Sequence, residues 1–301
     1  MASDEELARA AAIIRNGGLV AFPTETVYGL GANALSAQAV QRIFEAKQRP
    51  HSSPLIVHVA DMGMARAIAA EWPELAAALA EQFWPGPLTL VVKKAQCVPD
   101  IVSAGLDSVG IRMPAHPLAA ALIRRSGVPI AAPSANRFTQ ISPTTADHVR
   151  QGLGESVDLI LDGGPTTVGL ESTVVSLVRP EPTILRPGMI TIRDLERATG
   201  RNWITLDGAR VNVRESPGLH ARHYSPRTPF YVIREGNPEP IGKGRFLDLP
   251  HEPASYAAAF YAELHRADAE GWDWIAVRPP PEGPEWEGIH DRLSRAALNF
   301  G

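Results

Sequence analysis

Cysteine is almost missing: Cys97 is the one thiol in 301 residues. An internal disulfide and a cysteine-based zinc site are therefore excluded, and such a chain fits a reducing cytoplasm. Cys97 itself reads as a small apolar filler. An excess of positive charge is missing too. Lys and Arg number 29 against 33 Asp and Glu, a formal net charge of -4. That balance argues against a generally basic nucleic-acid surface but leaves room for a local cationic cleft. Lysine is scarce, occurring only at Lys47, Lys93, Lys94 and Lys243, so a lysine inside a motif stands out. No apolar run reaches membrane-spanning length, and no charged segment leads into an apolar one near the N-terminus. The expectation is a cytoplasmic protein with no membrane partner.

What is present is ordinary for a globular protein: 45% hydrophobic and 21% charged residues in a chain long enough for one large domain or two unequal ones. Ser3-Asp-Glu-Glu6 is a capping box ahead of an alanine-rich amphipathic helix that Gly17 stops. Leu19 to Phe22 then reads as a short buried strand. A helix over 36–47, a strand over 54–59, helical segments over 61–83 and a strand over 88–93 follow. The alternation of strands and helices continues to about residue 200 and predicts a mixed α/β sheet over residues 1–200. From 201 to 229 the periodicity fades into a Pro-, Arg- and His-containing linker. Residues 230–301 form a small second α/β unit, brief for an independent domain.

Polar and cationic side chains recur at predicted strand ends, where α/β sheets place their ligand crevices. Thr24, Glu25, Thr26 and Tyr28 follow the first strand. Lys47 and Arg49, an ammonium and a guanidinium at a helix end, suit phosphate or carboxylate, although two solvated charges fit the same pattern. Ser134 and Asn136, two apart after an apolar strand, could point the same way or simply form a turn. Arg112 inside an apolar strand needs an anionic partner, either a structural carboxylate or a ligand. The glycine-rich loop 163–173 could cradle anions through its N–H groups. It matches neither the P-loop nor the dinucleotide fingerprint, and 242–244 lacks P-loop spacing as well. His220 and His223 have a spacing seen in metal sites but no cysteine or third ligand nearby, so no metal site is expected.

The ordered set of motifs resembles one family. Phe-Pro-Thr-Glu-Thr-Val-Tyr-Gly-Leu from Phe22, Lys-Gln-Arg-Pro from Lys47, Pro-Leu-Ile-Val-His from Pro54 and Gly-Ile-Arg-Met-Pro from Gly110 come first. Ala-Pro-Ser-Ala-Asn from Ala132, Glu-Ser-Thr-Val-Val from Glu171, Leu-Arg-Pro-Gly from Leu185 and Arg-His-Tyr-Ser-Pro from Arg222 complete the series. Together they are similar to the threonylcarbamoyl-AMP synthases in their longer form. That resemblance implies a twisted mixed sheet of the YrdC-like type, then a linker that closes over the active site, then a Rossmann-like C-terminal domain. It implies a nucleotidyltransferase that condenses L-threonine, bicarbonate and ATP, with Mg²⁺ carried by the triphosphate, and a separate tRNA threonylcarbamoyl transferase downstream.

By the same resemblance Lys47, Arg49, Ser134 and Asn136 form the catalytic polar signature. Thr26, His58, Arg112, Ala132 (through its backbone) and Ser172 match threonine-binding positions. Arg49, Ser53, Ser108, Ser134, Ser142, Arg186, His223 and Tyr224 match ATP-binding ones. Ser53 and Ser108 stand where asparagine and threonine are commoner in the family. The stretch 230–253 is brief for the usual opening of the second domain, which therefore reads as shortened. The competing reading is an RNA-binding module with a cationic concave surface built on Arg49, Arg112, Arg137 and Arg186, which leaves weak RNA binding open. A hydrogenase-maturation role for the fold needs accessory regions that are missing here.

Overall fold

The computed structural model describes residues 3–206, 217–218 and 222–298. The capping box holds: Ser3 Oγ accepts from Glu6 N, and Glu6 reaches back to Ser3 N at 2.8 Å, opening α1 (Asp4–Arg15). β1 (Val20–Phe22) follows, and then β2 (Gly29–Asn33), a strand that the sequence pattern concealed. β2 pairs antiparallel with β1, with Val20 opposite Gly31 and Phe22 opposite Gly29. Gly31 is a strand residue with no room for a side chain. A Cβ there would lie 2.7 Å from both Ile130 Cγ2 and Phe22 Cε1.

The chain continues through α2 (Ala37–Lys47), β3 (Ile56–His58), α3 (Met62–Ala67), α4 (Glu74–Phe83), β4 (Leu88–Lys93), α5 (Asp100–Ser103) and β5 (Ser108–Arg112). The helical segments expected over 61–83 are two helices, parted where Pro73 caps α4. Next come α6 (Pro117–Ser126), β6 (Ile130–Ala131), α7 (Ala146–Leu153), β7 (Leu159–Ile160), β8 (Thr173–Ser176), β9 (Thr183–Arg186), α8 (Ile192–Thr199) and β10 (Ile204–Thr205). The ten strands form one mixed sheet in the order β10-β9-β8-β4-β5-β3-β6-β2-β1-β7.

Burial explains the layers. Leu7, Ala10, Ala11 and Ile14 of α1 share a core with Leu122 and Ile123 of α6 against Val20, Phe22 and Ile130. A larger core on the other side collects Val40, Ile43 and Phe44 of α2, Leu79 of α4 and the strand residues Leu90, Val92 and Ile111.

Residues 230–298 build β11 (Phe230–Val232), β12 (Gly244–Phe246), α9 (Pro253–Ala269), β13 (Trp274–Val277) and α10 (Glu287–Ala296). Both outer strands pair parallel with the central β13, so β12 falls inside the stretch that looked too brief. The small sheet does not close its core alone. Phe260, Tyr261, Leu264, Ile289 and Leu293 cluster with Val27, Ile141 and Leu170 of the first unit and with Tyr224. Gly288 of α10 lies so close to Gly188 that a Cβ on it would meet the Gly188 backbone at 2.9 Å. The second unit is thereby seated on the loop that follows β9.

Candidate active site

The site grows from strand ends. β3 and β5 run parallel with His58 opposite Arg112, so both last residues reach the same edge of the sheet. The turn after β1 is locked from within: Thr24 Oγ1 donates to Val27 O at 2.6 Å and accepts from Val27 N at 3.2 Å. It also shares a 2.8 Å hydrogen bond with Thr26 Oγ1. Tyr28 ties this turn to the glycine-rich loop, its Oη donating to Gly164 O at 2.7 Å and accepting from Gly163 N at 3.2 Å.

Part of the N–H set of the glycine-rich loop is already bonded. Thr166 N donates to Thr144 O and Val168 N to Glu25 O, so these amides are engaged within the protein.

Arg112 has a structural carboxylate partner, Glu25, whose Oε1 lies 2.7 Å from Nη2 with both side chains buried. Its Nη1 donates to Thr26 Oγ1 at 2.9 Å and its Nε to Gly86 O at 3.2 Å. Beside it His58 is pushed down to about 3, first by burial and then by the Arg112 charge, so the imidazole is neutral at physiological pH.

Across the pocket the cations have a different setting. Gln48 ends α2 in the left-handed region at φ 53°, which turns Arg49 back into the protein. Lys47 and Arg49 are 1% and 6% exposed, so the alternative of two solvated charges does not apply. Lys47 Nζ donates to the carbonyls of Ser134, at 2.6 Å, and Asn136. Burial, with Arg49 adding to it, pushes the ammonium well below its ordinary range.

Arg49 Nη2 donates to Ser53 Oγ and to Pro54 O at 3.0 Å, and burial pushes the guanidinium down to about 10. Arg186 holds Ser172 O through Nε and Nη2, at 3.2 and 2.9 Å, and reaches Pro217 O with Nη1 at 2.9 Å. Burial pushes this guanidinium down as well. Among the described ion pairs none involves Arg49, Arg186 or Lys47.

Of the residues expected at the site, Thr26, Arg49, His58, Arg112, Ala132, Ser134, Ser172, Arg186, His223 and Tyr224 line a single pocket. The other five stand behind or beside it. Lys47 supports the Ser134 and Asn136 backbone, Ser53 accepts from Arg49, and Ser142 donates to Glu171 Oε1 at 2.5 Å. Asn136 parts from Ser134: its Nδ2 donates to Arg137 O and Gln140 O at 2.8 Å, and it faces a neighbouring cleft. Ser108 opens on a small crevice that shares Ile56 and Pro217 with the main pocket. His220 lies outside the described residues, and among those described no cluster of His, Cys, Asp and Glu could hold a metal ion.

Three of the arginines behind the RNA-binding alternative, Arg49, Arg112 and Arg186, are buried in this pocket and cannot face a polynucleotide. Cys97 is exposed rather than a core filler. No helix among the described residues is long and apolar enough to cross a membrane.

Sequence reasoning passed over two residues. Glu171 was noted only inside a motif, yet its carboxylate lines the pocket and accepts from Arg292 Nε at 2.8 Å. Arg292, near the C-terminus, is fully buried, and nothing in its local pattern on a charged helix sets it apart from a surface arginine.

Comparison with known proteins now bears on this geometry. Residues 12–188 match the family model described as "Telomere recombination", and residues 190–298 match that described as "Threonylcarbamoyl-AMP synthase, C-terminal domain". The chain belongs to the threonylcarbamoyl-AMP synthase family. The threonylcarbamoyl-AMP synthase of Pyrococcus abyssi is 49% identical over 226 residues, 74% of this chain and 66% of that protein. That of Schizosaccharomyces pombe is 42% identical across 97% of this chain and 88% of its own length. The crystal structure of P. abyssi Sua5 complexed with L-threonine superposes with a TM-score of 0.91 at 38% identity, covering 99% of this chain and 95% of that one. The likeness thus spans both units, and the second, for all its brevity, is a threonylcarbamoyl-AMP synthase C-terminal domain.

Proposed function

We propose that this synthase condenses L-threonine, bicarbonate and ATP into threonylcarbamoyl-AMP and pyrophosphate, a nucleotidyl transfer that supplies a separate tRNA threonylcarbamoyl transferase. The observation that carries the proposal is a pocket with two poles: a closed Arg112–Glu25 pair with Thr26 and His58 on one side, and the unpaired guanidinia of Arg49 and Arg186 on the other. A buried cation without a carboxylate is poised for an anion from outside.

In the chemistry the threonine nitrogen attacks the carbon of bicarbonate, water leaves, and a carbamate forms. A carbamate oxygen then attacks the α-phosphorus, the bond to the bridging oxygen breaks, and pyrophosphate departs with the electron pair. Nothing in this sequence needs a covalent nucleophile on the protein. What it needs is fixed charge where phosphate oxygens gather and a wall against water, because the carbamate is labile. Arg49 and Arg186 meet the first requirement, aided by the hydroxyls of Ser134 and Ser172. Tyr224, His223, Pro217 and Gly218 form the wall.

Threonine takes the pole of Thr26, His58, Arg112, Ala132 and Ser172, where neutral His58 can accept a hydrogen bond from its hydroxyl or amine. The nucleoside takes the side of Ser53, Ser108 and Ser142. Lys47 holds the 134–136 backbone in place, and Asn136 ties down the turn that follows through the Arg137 and Gln140 carbonyls. Glu171 in the pocket wall and Glu25 behind Arg112 are both already ion-paired, so Mg²⁺ would be held by the triphosphate, whose charge it neutralises. The test is pyrophosphate release from ATP with bicarbonate and threonine present or withheld. Release that needs both, with serine a poor substitute, is the expected result; turnover without threonine overturns it.

A further inference from the structure

Arg292 belongs to the C-terminal unit, yet its guanidinium is spent on the first unit and its pocket. Nε donates to Glu171 Oε2 at 2.8 Å, Nη2 to Glu171 O at 3.2 Å, and Nη1 to Pro187 O at 3.0 Å and Asp291 Oδ2 at 2.6 Å. Asp291 is further held by Arg295, whose Nε lies 2.9 Å from its Oδ1. The guanidinium carbon lies over the Tyr224 ring, 5.3 Å from its centre. Tyr224 itself sits at φ 63°, a backbone state that a bulky residue keeps only when its surroundings impose it.

Glu171 is the neighbour of Ser172, and Ser172 is what Arg186 grips. Burial pushes the Glu171 carboxyl up, but Arg292, Arg186 and the Ser142 hydrogen bond together hold it below the usual range. A buried anion therefore stands at the nucleotide side of the pocket, and the charges of Arg292, Arg186 and Lys47 all couple to it. Only one of them, Arg292, is in an ion pair with it.

We propose that Arg292 is a positioning residue for ATP. By holding the Glu171 carboxylate to α10, it leaves Arg186 free for phosphate, so the nucleotide is gripped only when the C-terminal unit is seated. This rests on the reading of the pocket as an ATP and threonine site. Without Arg292 the uncompensated carboxylate turns to Arg186, which its hydrogen bonds to Ser172 hold at the next residue along the chain, and the two neutralise each other. The threonine pole keeps its own closed pair and is disturbed only at the Ser172 contact with Arg186.

The test is direct binding of ATP and of L-threonine, with KM for each, on the full-length wild type, Arg292→Gln and the double variant Glu171→Gln/Arg292→Gln, each checked by thermal melting. Arg292→Gln is expected to weaken ATP about tenfold or more while threonine affinity moves less than about threefold. Adding Glu171→Gln is expected to restore most of the loss, which no packing role for Arg292 explains. If Arg292→Gln does not fold, the double variant decides, and ATP affinity within about threefold of wild type supports the proposal.

Unchanged ATP affinity in a folded Arg292→Gln overturns the proposal. So does equal loss of ATP and threonine, or a folded double variant that still fails to bind ATP. A wild type that binds neither ligand would instead remove the reading of the pocket beneath it.

Discussion

Arg112 and Arg186 are the same residue in nearly the same place: each is the last residue of a strand, each is buried, and each lines one pocket. They differ in what they hold. Arg112 lies 2.7 Å from the Glu25 carboxylate, whereas Arg186 holds the carbonyls of Ser172 and Pro217 and the Ser172 hydroxyl. A carbonyl orients a guanidinium without cancelling its charge, so the field of Arg186 is left for something that enters the pocket. The difference separates an arginine that is first part of the structure from one that is first part of the site.

The largest effect that can break this comparison is at the paired end. Arg112→Met leaves Glu25 a lone buried carboxylate, which costs about 3–5 kcal/mol of folding stability. Urea denaturation measures it, and Glu25→Gln in the same chain should return a large part of the loss. If Arg112→Met melts like wild type, Glu25 is not the partner that matters and Arg112 belongs with the unpaired arginines.

The mirror experiment is Arg186→Met. Here a buried charge in no ion pair among the described residues is removed, and relief of its desolvation offsets the hydrogen bonds lost at Ser172 O and Pro217 O, so stability changes by no more than about 1 kcal/mol. Pyrophosphate release, in contrast, falls about 10²-fold, as when one preorganised donor is taken from a transition state. Arg49→Met is expected to behave the same way. Unfolding in either variant would place these cations on the structural side of the comparison.

Residue patterns carried this far, and no further, for reasons visible at particular positions. Strand ends were readable because an apolar run followed by polar residues marks where a sheet meets its ligand edge, and Thr26 and Arg112 stood out that way, whereas His58 and Ser172, the latter just ahead of β8, were picked out only by resemblance to the family. β2 was hidden because Gly29 and Gly31 show no side-chain period, although tight packing on Phe22 and Ile130 is the reason they are glycines. The partner of Arg112 stood 87 residues away in the chain, and no local rule links Glu25 to it. Arg292 was invisible for the same reason: a charged residue on a charged helix reads as surface until its contact with Glu171, 121 residues distant, is in view. Local chemistry announces itself in sequence, and long-range charge pairing does not.

The same contrast extends to imidazoles, with a smaller and pH-dependent effect. His58 in the pocket is pushed down to about 3 and His265 at the junction of the two units to about 4, both first by burial. The folded values lie below the unfolded one of about 6.5, so as pH falls the unfolded chain takes up protons that the folded chain refuses. Stability is therefore present above about pH 6.5 and is lost on acidification, by up to about 1.4 kcal/mol per pH unit for each histidine. Urea titrations at pH 6.5, 5.5 and 4.5 should show a shallower decline in His265→Asn than in wild type. Parallel declines would mean that His265 takes up its proton equally well in the folded state.

The smallest expected effect asks whether a cation of the site depends on the helix that carries it. Ser36 caps α2 by accepting from Ala39 N at 3.2 Å, at the opposite end from Lys47 and away from the pocket. Ser36→Ala removes that bond and costs about 1 kcal/mol, read as a small drop in melting temperature. The position of Lys47 is set by the Ser134 and Asn136 carbonyls and by the core contacts of Ile43 and Phe44, none of which the cap touches. Pyrophosphate release at saturating substrates should therefore match wild type within about twofold, since the last turn is held by packing rather than by the first. A larger fall would mean that fraying at Ser36 reaches Lys47, and that α2 contributes to the site as a whole helix and not only through its final turn.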